Sequence, residues 1–335
     1  RMMEPQYVIT GAAGNLGSTI VSKLVQEGKA VRALIFPGDR SAEVLPEEVE
    51  RVSGDVREKQ SLGTFFNNPT GRPQILIHCA GIVTIASAYN QSVYDVNVIG
   101  TQNILELSKE NSISRMIYVS SVHAIPELPK GQTMAEITSF DPDKVFGLYS
   151  RTKAIATQLA LNAAMDGLNL SVVHPSGICG PYDSGHGYLT QLLIDFYKGK
   201  LFAAVKGGYD FVDVRDVADG ILNCIERGHS GECYILSNQY YSVPQLLELF
   251  HQVTGKKAVN RYLPISFAKA TAPLAERYYK HLNQPPLYTP YSLHVISANA
   301  NFSHEKATRE LGYTTRPMER TVADTVEWLK QANRI

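Results

Sequence analysis

The sequence predicts an α/β protein: a doubly wound parallel sheet joined to a smaller mixed α/β part. Three observations carry that expectation. A strand, a glycine-rich turn and a helix open the chain at 7–27, and a second strand closes the unit at 31–36. Short apolar runs then alternate with helix-period segments as far as residue 174. A pair of serines, Ser120-Ser121, ends the fifth apolar run, at the carboxyl edge where open parallel sheets hold ligands.

The first unit begins with Tyr7-Val8-Ile9 and turns through Thr10-Gly11-Ala12-Ala13-Gly14-Asn15-Leu16-Gly17. A helical pattern follows at 19–27. Glycines let the backbone turn tightly and approach a pyrophosphate, whose charge the helix N-terminus stabilises. Gly11, Ala13, Gly14, Asn15, Leu16 and Gly17 are therefore the expected phosphate cradle of a dinucleotide.

The second strand, 31–36, ends in Ile35-Phe36, between Arg32 and Arg40. An acid at this point would bind a free ribose 2′-hydroxyl, and a base would accommodate a 2′-phosphate. No acid is present, so the signal for NAD is missing, and Arg40 is the residue placed to meet a phosphate. A third strand at 49–53 runs into Gly54-Asp55-Val56. Asp55 can accept from an adenine amine with Val56 against the ring, or it can cap the segment beginning near Arg57. The fourth strand, 75–79, is apolar enough for burial on both faces and ends in the small Ala80-Gly81, where a cofactor can pass closely. A long helix containing Asn97 is expected over 88–110.

The fifth strand, 116–119, leads into Ser120-Ser121-Val122-His123. The stretch 124–146 holds three prolines and mixed charge and reads as a substrate-facing loop. A helix at 149–167 and a sixth strand at 170–174 follow, closed by the turn residues 175–181. Beyond that the alternation breaks down. A loop is expected at 185–187, a helix at 188–199, a strand leading into a helix at 211–218 and a strand at 232–236. Helices are expected at 242–254, 264–283, 302–311 and 318–332, with prolines 285, 286 and 290 breaking the chain.

Composition sets the class. The chain has 335 residues, 44% hydrophobic and 19% charged, ample for a large core. Lys plus Arg equals Asp plus Glu, and no long basic run appears, so no nucleic-acid partner is expected. No apolar stretch reaches the ~18 residues of a membrane span. The N-terminus lacks a signal-peptide pattern, and no membrane partner is expected. Cys79, Cys179, Cys224 and Cys233 show no ligand spacing. They read as buried free thiols, which suits a cytoplasmic protein. No His, Cys and carboxylate cluster has metal spacing, so no metal is expected. A nucleophile elbow is also absent, since Pro175-Ser176-Gly177 lacks the first glycine.

The motif Tyr149-Ser150-Arg151-Thr152-Lys153 points to proton transfer. Tyr149 and Lys153 are four apart and share a helix face. A free tyrosine has a pKa of about 10, and a nearby ammonium lowers it. Ser121 can hydrogen-bond the substrate oxygen and align it with the Tyr149 hydroxyl. The three would form a relay beside a hydride carrier. His123, two residues after Ser121, is a candidate for the substrate pocket, whereas His174 reads as structural.

These residues resemble the extended short-chain dehydrogenase/reductase family, the NAD-dependent epimerase/dehydratase superfamily. The likeness rests on Gly11, Gly14 and Gly17 at their spacing, Gly54-Asp55-Val56, Asn97, Ser120-Ser121, Tyr149 with Lys153, and His174-Pro175-Ser176-Gly177 with Gly180-Pro181. Asp213-Val214-Arg215-Asp216-Val217-Ala218, Glu310-Leu311-Gly312-Tyr313 and Trp328 extend it over nearly the whole chain. The sequence is most similar to the dihydroflavonol reductase and 3β-hydroxysteroid dehydrogenase-like branch, through Tyr149 to Ala154 and Leu311-Gly312-Tyr313. Phe36 departs from that branch, which often has arginine there. Ile125-Pro126 departs from the Tyr-Gly of sugar-nucleotide epimerases.

The resemblance implies a Rossmann NAD(P)-binding domain over 1–180, to which 211–230 returns, and a mainly substrate-binding domain over 181–335. It implies Ser121, Tyr149 and Lys153 as catalytic residues, with Asn97 supporting them. Lys153 would also hold the nicotinamide ribose, with Pro175 and Ile178 along the nicotinamide. The cofactor is NADP or NAD, with NADP favoured. The implied activity is hydride exchange with a small-molecule ketone, aldehyde or secondary alcohol. A nucleotide-sugar epimerase or dehydratase with tightly held NAD, and a non-catalytic NADP-sensing regulator, are the alternatives. Members of the family often pair as homodimers through helices matching 88–110 and 149–167, which the resemblance extends to this chain as an expectation.

Overall fold

The computed structural model describes residues 2–84, 88–185, 187–201, 204–283 and 288–335. Prolines 285 and 286, and His186 of the expected 185–187 loop, lie outside the described residues.

The first half of the chain alternates as expected. β1 (Gln6–Thr10), α1 (Asn15–Gln26), β2 (Ala30–Ile35), β3 (Glu50–Ser53), α2 (Gly63–Phe66) and β4 (Gln74–His78) come first. They are followed by α3 (Gln91–Tyr94), α4 (Thr101–Glu110), β5 (Arg115–Val119), α5 (Leu148–Met165) and β6 (Leu170–Pro175). The remainder supplies β7 (Gly177–Cys179), α6 (Tyr188–Tyr197), β8 (Ala204–Val205), β9 (Gly208–Asp213), α7 (Val214–Arg227), β10 (Cys233–Leu236) and β11 (Gln239–Ser242). It ends with α8 (Val243–Thr254), β12 (Tyr262–Leu263), α9 (Ile265–His281), α10 (Pro290–Ser297), α11 (Glu305–Leu311) and α12 (Met318–Gln331).

Seven strands form one parallel sheet in the order β10-β6-β5-β4-β1-β2-β3. The doubly wound expectation is met. Two apolar clusters, one on each face, bury the sheet between helices, as a parallel sheet requires. Strand order reverses between β1 and β4, and there the connections from the carboxyl ends of the two paired strands leave on opposite faces of the sheet, which opens a crevice.

Among the elements that differ from expectation, Pro290 opens α10 where a break was expected, the helix expected at 302–311 starts at Glu305, and two others bear on the site. The helix expected at 19–27 starts at Asn15, directly after the glycine turn. The helix expected over 88–110 starts at Gln91, where the Asn90 side chain accepts from the Ser92 N–H. It then passes through one π turn, Asp95–Gly100, before α4. Gly100 ends the π turn where a side chain would not fit: a Cβ there would lie 2.6 Å from Cγ2 of the buried Val56. The wider turn brings Asn97 to the sheet edge, and such turns recur at functional sites.

Polar groups in the core are tied to the frame. Arg115 is buried on β5 and donates to Ser171 Oγ (2.7 Å), Asn169 Oδ1 (3.1 Å) and the carbonyls of Cys224, Ile225 and Gly228. It thereby satisfies the last carbonyls of α7 and fixes that helix to the sheet. β9 joins β7 and β11 in a small mixed sheet, while α7 packs against α1. Ser242 caps α8 through a reciprocal bond with Gln245.

Burial holds three histidines neutral: His78 is pushed down to about 3, and His123 and His174 to about 4. Their ordinary value is 6.5, so the unfolded chain takes up protons first as pH falls. Stability from these groups should be complete above about pH 6.5 and lost progressively as pH drops toward 4. Urea unfolding across that range checks this; a flat profile would contradict it.

Candidate active site

The turn between β1 and α1 is built on close backbone approach. Gly11 has φ +65°, and a Cβ there would stand 2.7 Å from both the Cys79 carbonyl carbon and the Ala80 nitrogen. A Cβ on Gly17 would lie 2.0 Å from the Gly11 oxygen. The helix N-cap is Gly14, which offers no side-chain cap, and the first turn holds no acid. Its N–H groups are therefore presented to an anion. Asn15 Oδ1 is buried without a hydrogen-bond partner. This cradle fits a dinucleotide pyrophosphate, with Ala13 and Leu16 completing the turn.

Across the crevice, Thr10 Oγ1 lies 2.6 Å from His78 Nδ1 and accepts from the Ala80 N–H at 3.1 Å. His78 Nε2 lies 2.9 Å from Thr101 Oγ1. The end of β4 is thus locked to β1 and to α4. Asn97 then clamps the next residues: its Oδ1 accepts from the Ile82 N–H at 2.7 Å and its Nδ2 donates to the Ile82 carbonyl at 3.0 Å. Asn97 Nδ2 also donates to Thr152 Oγ1 on α5 (3.1 Å).

Tyr149, Lys153 and Ser121 converge on the same place, and all are buried. Lys153 Nζ stands 6.0 Å from the Tyr149 ring centroid and donates to the Val119 carbonyl at 3.3 Å. A Cβ on Gly81 would come within 3.3 Å of Nζ and 3.4 Å of Asn97 Oδ1. Only a small residue leaves that ammonium in place. Ser121 Oγ accepts from the His123 N–H, and the Ser121 carbonyl lies 2.9 Å from His174 Nδ1.

The acid–base balance differs from the sequence expectation. Burial pushes the Tyr149 phenol up to about 12, opposed only by the Ser121 hydroxyl. Burial also pushes Lys153 down to about 8. The ammonium, 6.0 Å from the ring centroid, does not reverse this shift, because loss of water dominates at the buried phenol.

The adenosine end also differs. Arg40 is exposed at the start of a 3₁₀ turn, Arg40–Val44. Instead Arg57, which the sequence reading passed over, lies with its guanidinium 5.7 Å from the Phe36 ring centroid. Asp55 accepts from the Arg57 backbone N–H (3.0 Å) and from its Nη2 (2.7 Å). Those bonds hold the Asp55 carboxyl below its ordinary range. Val56 is buried against the π turn. Pro175 ends β6, and Ile178 lies in β7 with its side chain packed on the sheet cluster.

Beyond Tyr149 opens a cavity of about 330 Å³. His123 reaches it, stacked on Tyr209 with Nε2 3.1 Å from the Tyr209 hydroxyl, and 5.7 Å from the Tyr149 ring. Tyr291, Phe146, His294 and Phe302 supply further rings. Gly147 makes room for this wall: at φ +92° it has no side chain to meet the Tyr291 ring, 2.4 Å from where a Cβ would be. Residues of the 124–146 loop, among them Ile125, Glu127, Met134 and Phe146, line the cavity. Tyr209 and Tyr291 were not legible, since each comes from a distant part of the chain.

Residues 7–237 match the model of the "NAD dependent epimerase/dehydratase family". The chain is 28% identical to "Sterol demethylase protein B" of Methylococcus capsulatus, covering 98% of this chain and 99% of that one. It is 30% identical to a "4-hydroxy-2-methyl-3-oxo-4-farnesyl-3,4-dihydroquinoline-1-oxide ketoreductase" of Stigmatella aurantiaca, covering 92% and 91%. The crystal structure of gox2253 superposes with a TM-score of 0.84 at 29% identity, covering 99% and 100%.

Gly17→Ala should destabilise the fold by about 3 kcal/mol and weaken dinucleotide binding, because the added methyl meets a backbone oxygen. Urea unfolding and a fluorescence titration with NADPH measure both effects; wild-type values in both would contradict the cradle.

Proposed function

We propose, for a chain that belongs to the NAD dependent epimerase/dehydratase family, the reversible reduction of a ketone or aldehyde carried on an apolar, ring-bearing molecule. The chain is an NAD(P)-dependent oxidoreductase of the short-chain dehydrogenase/reductase type. The observation that carries the substrate reading is the aromatic cavity lined by His123, whose ring stands 5.7 Å from that of Tyr149.

That cavity suits rings and not a pyrophosphate. Lys144 is the one Lys or Arg among its lining residues, against Glu127 and Asp143. A diphosphate calls for charge-assisted donors, usually arginine forks. Arg215 is engaged by Asp213 and Asp324 at 2.8 Å each, and neither Arg261 nor Lys269 lines the cavity. This favours carbonyl reduction over nucleotide-sugar epimerisation. The names of the two relatives above, one a ketoreductase and one a sterol demethylase protein, support an apolar substrate. Retention of Tyr149 and Lys153 argues against a purely sensory role.

A nicotinamide cofactor, when bound, supplies or takes the hydride. Tyr149 Oη gives its proton to the oxygen that forms, and Ser121 Oγ holds that oxygen in line. A phenol pushed up to about 12 keeps its proton at neutral pH, which suits the acid role in reduction. Lys153 binds the nicotinamide ribose, and Asn97 holds the Ile82 backbone and α5 in register around it. Asp55, expected to accept from an adenine amine or to cap the segment near Arg57, accepts from the Arg57 backbone N–H and guanidinium. The Arg57 guanidinium beside Phe36 is placed to meet a 2′-phosphate, which favours NADPH over NADH.

The test is an assay with NADPH against cyclic apolar ketones and against UDP-glucose. Tyr149→Phe should lower kcat by about a thousandfold without changing NADPH affinity. Reduction kcat/KM should stay level through neutral pH, whereas alcohol oxidation should climb with pH, because only the latter needs the phenolate. Faster turnover of UDP-glucose than of any ketone, or full activity in Tyr149→Phe, would overturn the reading.

A further inference from the structure

Helix α9 carries an apolar stripe on its solvent side. Phe267, Leu274 and Tyr278 are 56%, 67% and 61% exposed. Their spacing of seven and four residues places them on one face of the helix. Leu263, just before the helix, and Leu282, just after it, are also exposed. The opposite face is small and buried: Ala268 and Ala272 pack with Leu293 and Ile296 of α10. Exposed apolar residues scattered singly need no explanation, but a stripe along one helix does.

A second, independent feature marks the same segment. Residues 256–283 hold six Lys or Arg and one Glu, in a chain whose net charge is zero. On α9, Lys269, Arg277 and Lys280 are exposed, and their spacing of eight and three residues sets them on one flank of the helix, between its buried face and the apolar stripe. A helix with a basic stripe beside an aromatic and leucine stripe lies flat in the headgroup region of an anionic bilayer. No described helix is long and apolar enough to cross a membrane, so the contact would be peripheral.

We propose that α9 docks the protein on an anionic lipid surface, with Phe267, Leu274 and Tyr278 inserted and Lys269, Arg277 and Lys280 on the headgroups. A second copy of the chain fits less well, because a symmetric pairing through this face would set its cations against themselves. The placement suits an apolar substrate. α10, on which α9 rests, turns Tyr291, His294 and Val295 into the candidate cavity. A molecule partitioned into the bilayer would therefore meet the protein one helix away from the site.

The test is flotation of the full chain with phosphatidylglycerol-containing vesicles and with pure phosphatidylcholine vesicles, without substrate or cofactor. Binding should favour the anionic vesicles and weaken at high salt. The triple variant Phe267→Ser, Leu274→Ser, Tyr278→Ser should bind about tenfold less, with NADPH affinity unchanged. Lys269→Gln, Arg277→Gln, Lys280→Gln should abolish the preference for anionic lipid and provides a second reading if the first variant fails to fold. Equal binding to both vesicle types, none to either, or wild-type binding by the folded variants would overturn the proposal. So would a dimer seen by light scattering that the apolar substitutions dissolve. Vesicle binding is read without turnover, so failure of the reductase reading leaves this result standing, and the reverse holds too.

Discussion

The site depends on a contact with no room for a side chain. The start of α1 crosses the end of β1 so closely that the Gly11 oxygen occupies the space of a Gly17 Cβ. Gly11 in turn presses on the backbone of Cys79 and Ala80 at the end of β4. Those contacts set the width of the crevice at the strand-order reversal. They also present the uncapped N-terminus of α1 to whatever anion enters it.

Around this contact the chain spends buried polar groups on position. His78 joins Thr10 to Thr101, Asn97 joins Ile82 to Thr152, and Lys153 reaches the Val119 carbonyl. An unsatisfied buried polar group costs about 1–3 kcal/mol, so each of these side chains has a strong preference for one arrangement. The result is that segments far apart in the chain hold Tyr149, Lys153 and Ser121 together before any ligand arrives. Preorganisation of this kind is what the proposed proton relay would need.

Burial also decides the protonation states. The phenol of Tyr149 is pushed up and the ammonium of Lys153 down by the same loss of water. Desolvation acts on the charged form of each, whatever its sign. The neighbouring cavity follows the same logic: its rings stack on one another and on His123, which burial keeps neutral. A wall of that kind rewards apolar surface and penalises an unpaired phosphate.

Much of this was legible in the amino-acid order. Glycine spacing, the alternation of apolar strands with helices, and Tyr149 four residues before Lys153 are local patterns. Local patterns survive as sequence because backbone sterics and helix periodicity act over a few residues. The parallel sheet and the family follow from them. The tertiary structure decided the rest. Arg57, and not Arg40, meets Phe36, because the end of β3 lies beside β2. Tyr209 and Tyr291 reach His123 across more than eighty residues of chain. The helix around Asn97 widens to a π turn that its periodicity did not announce. The direction of the Tyr149 shift was missed for the same reason. Lysine spacing is written in the sequence, but the water excluded from both groups is a property of everything folded around them.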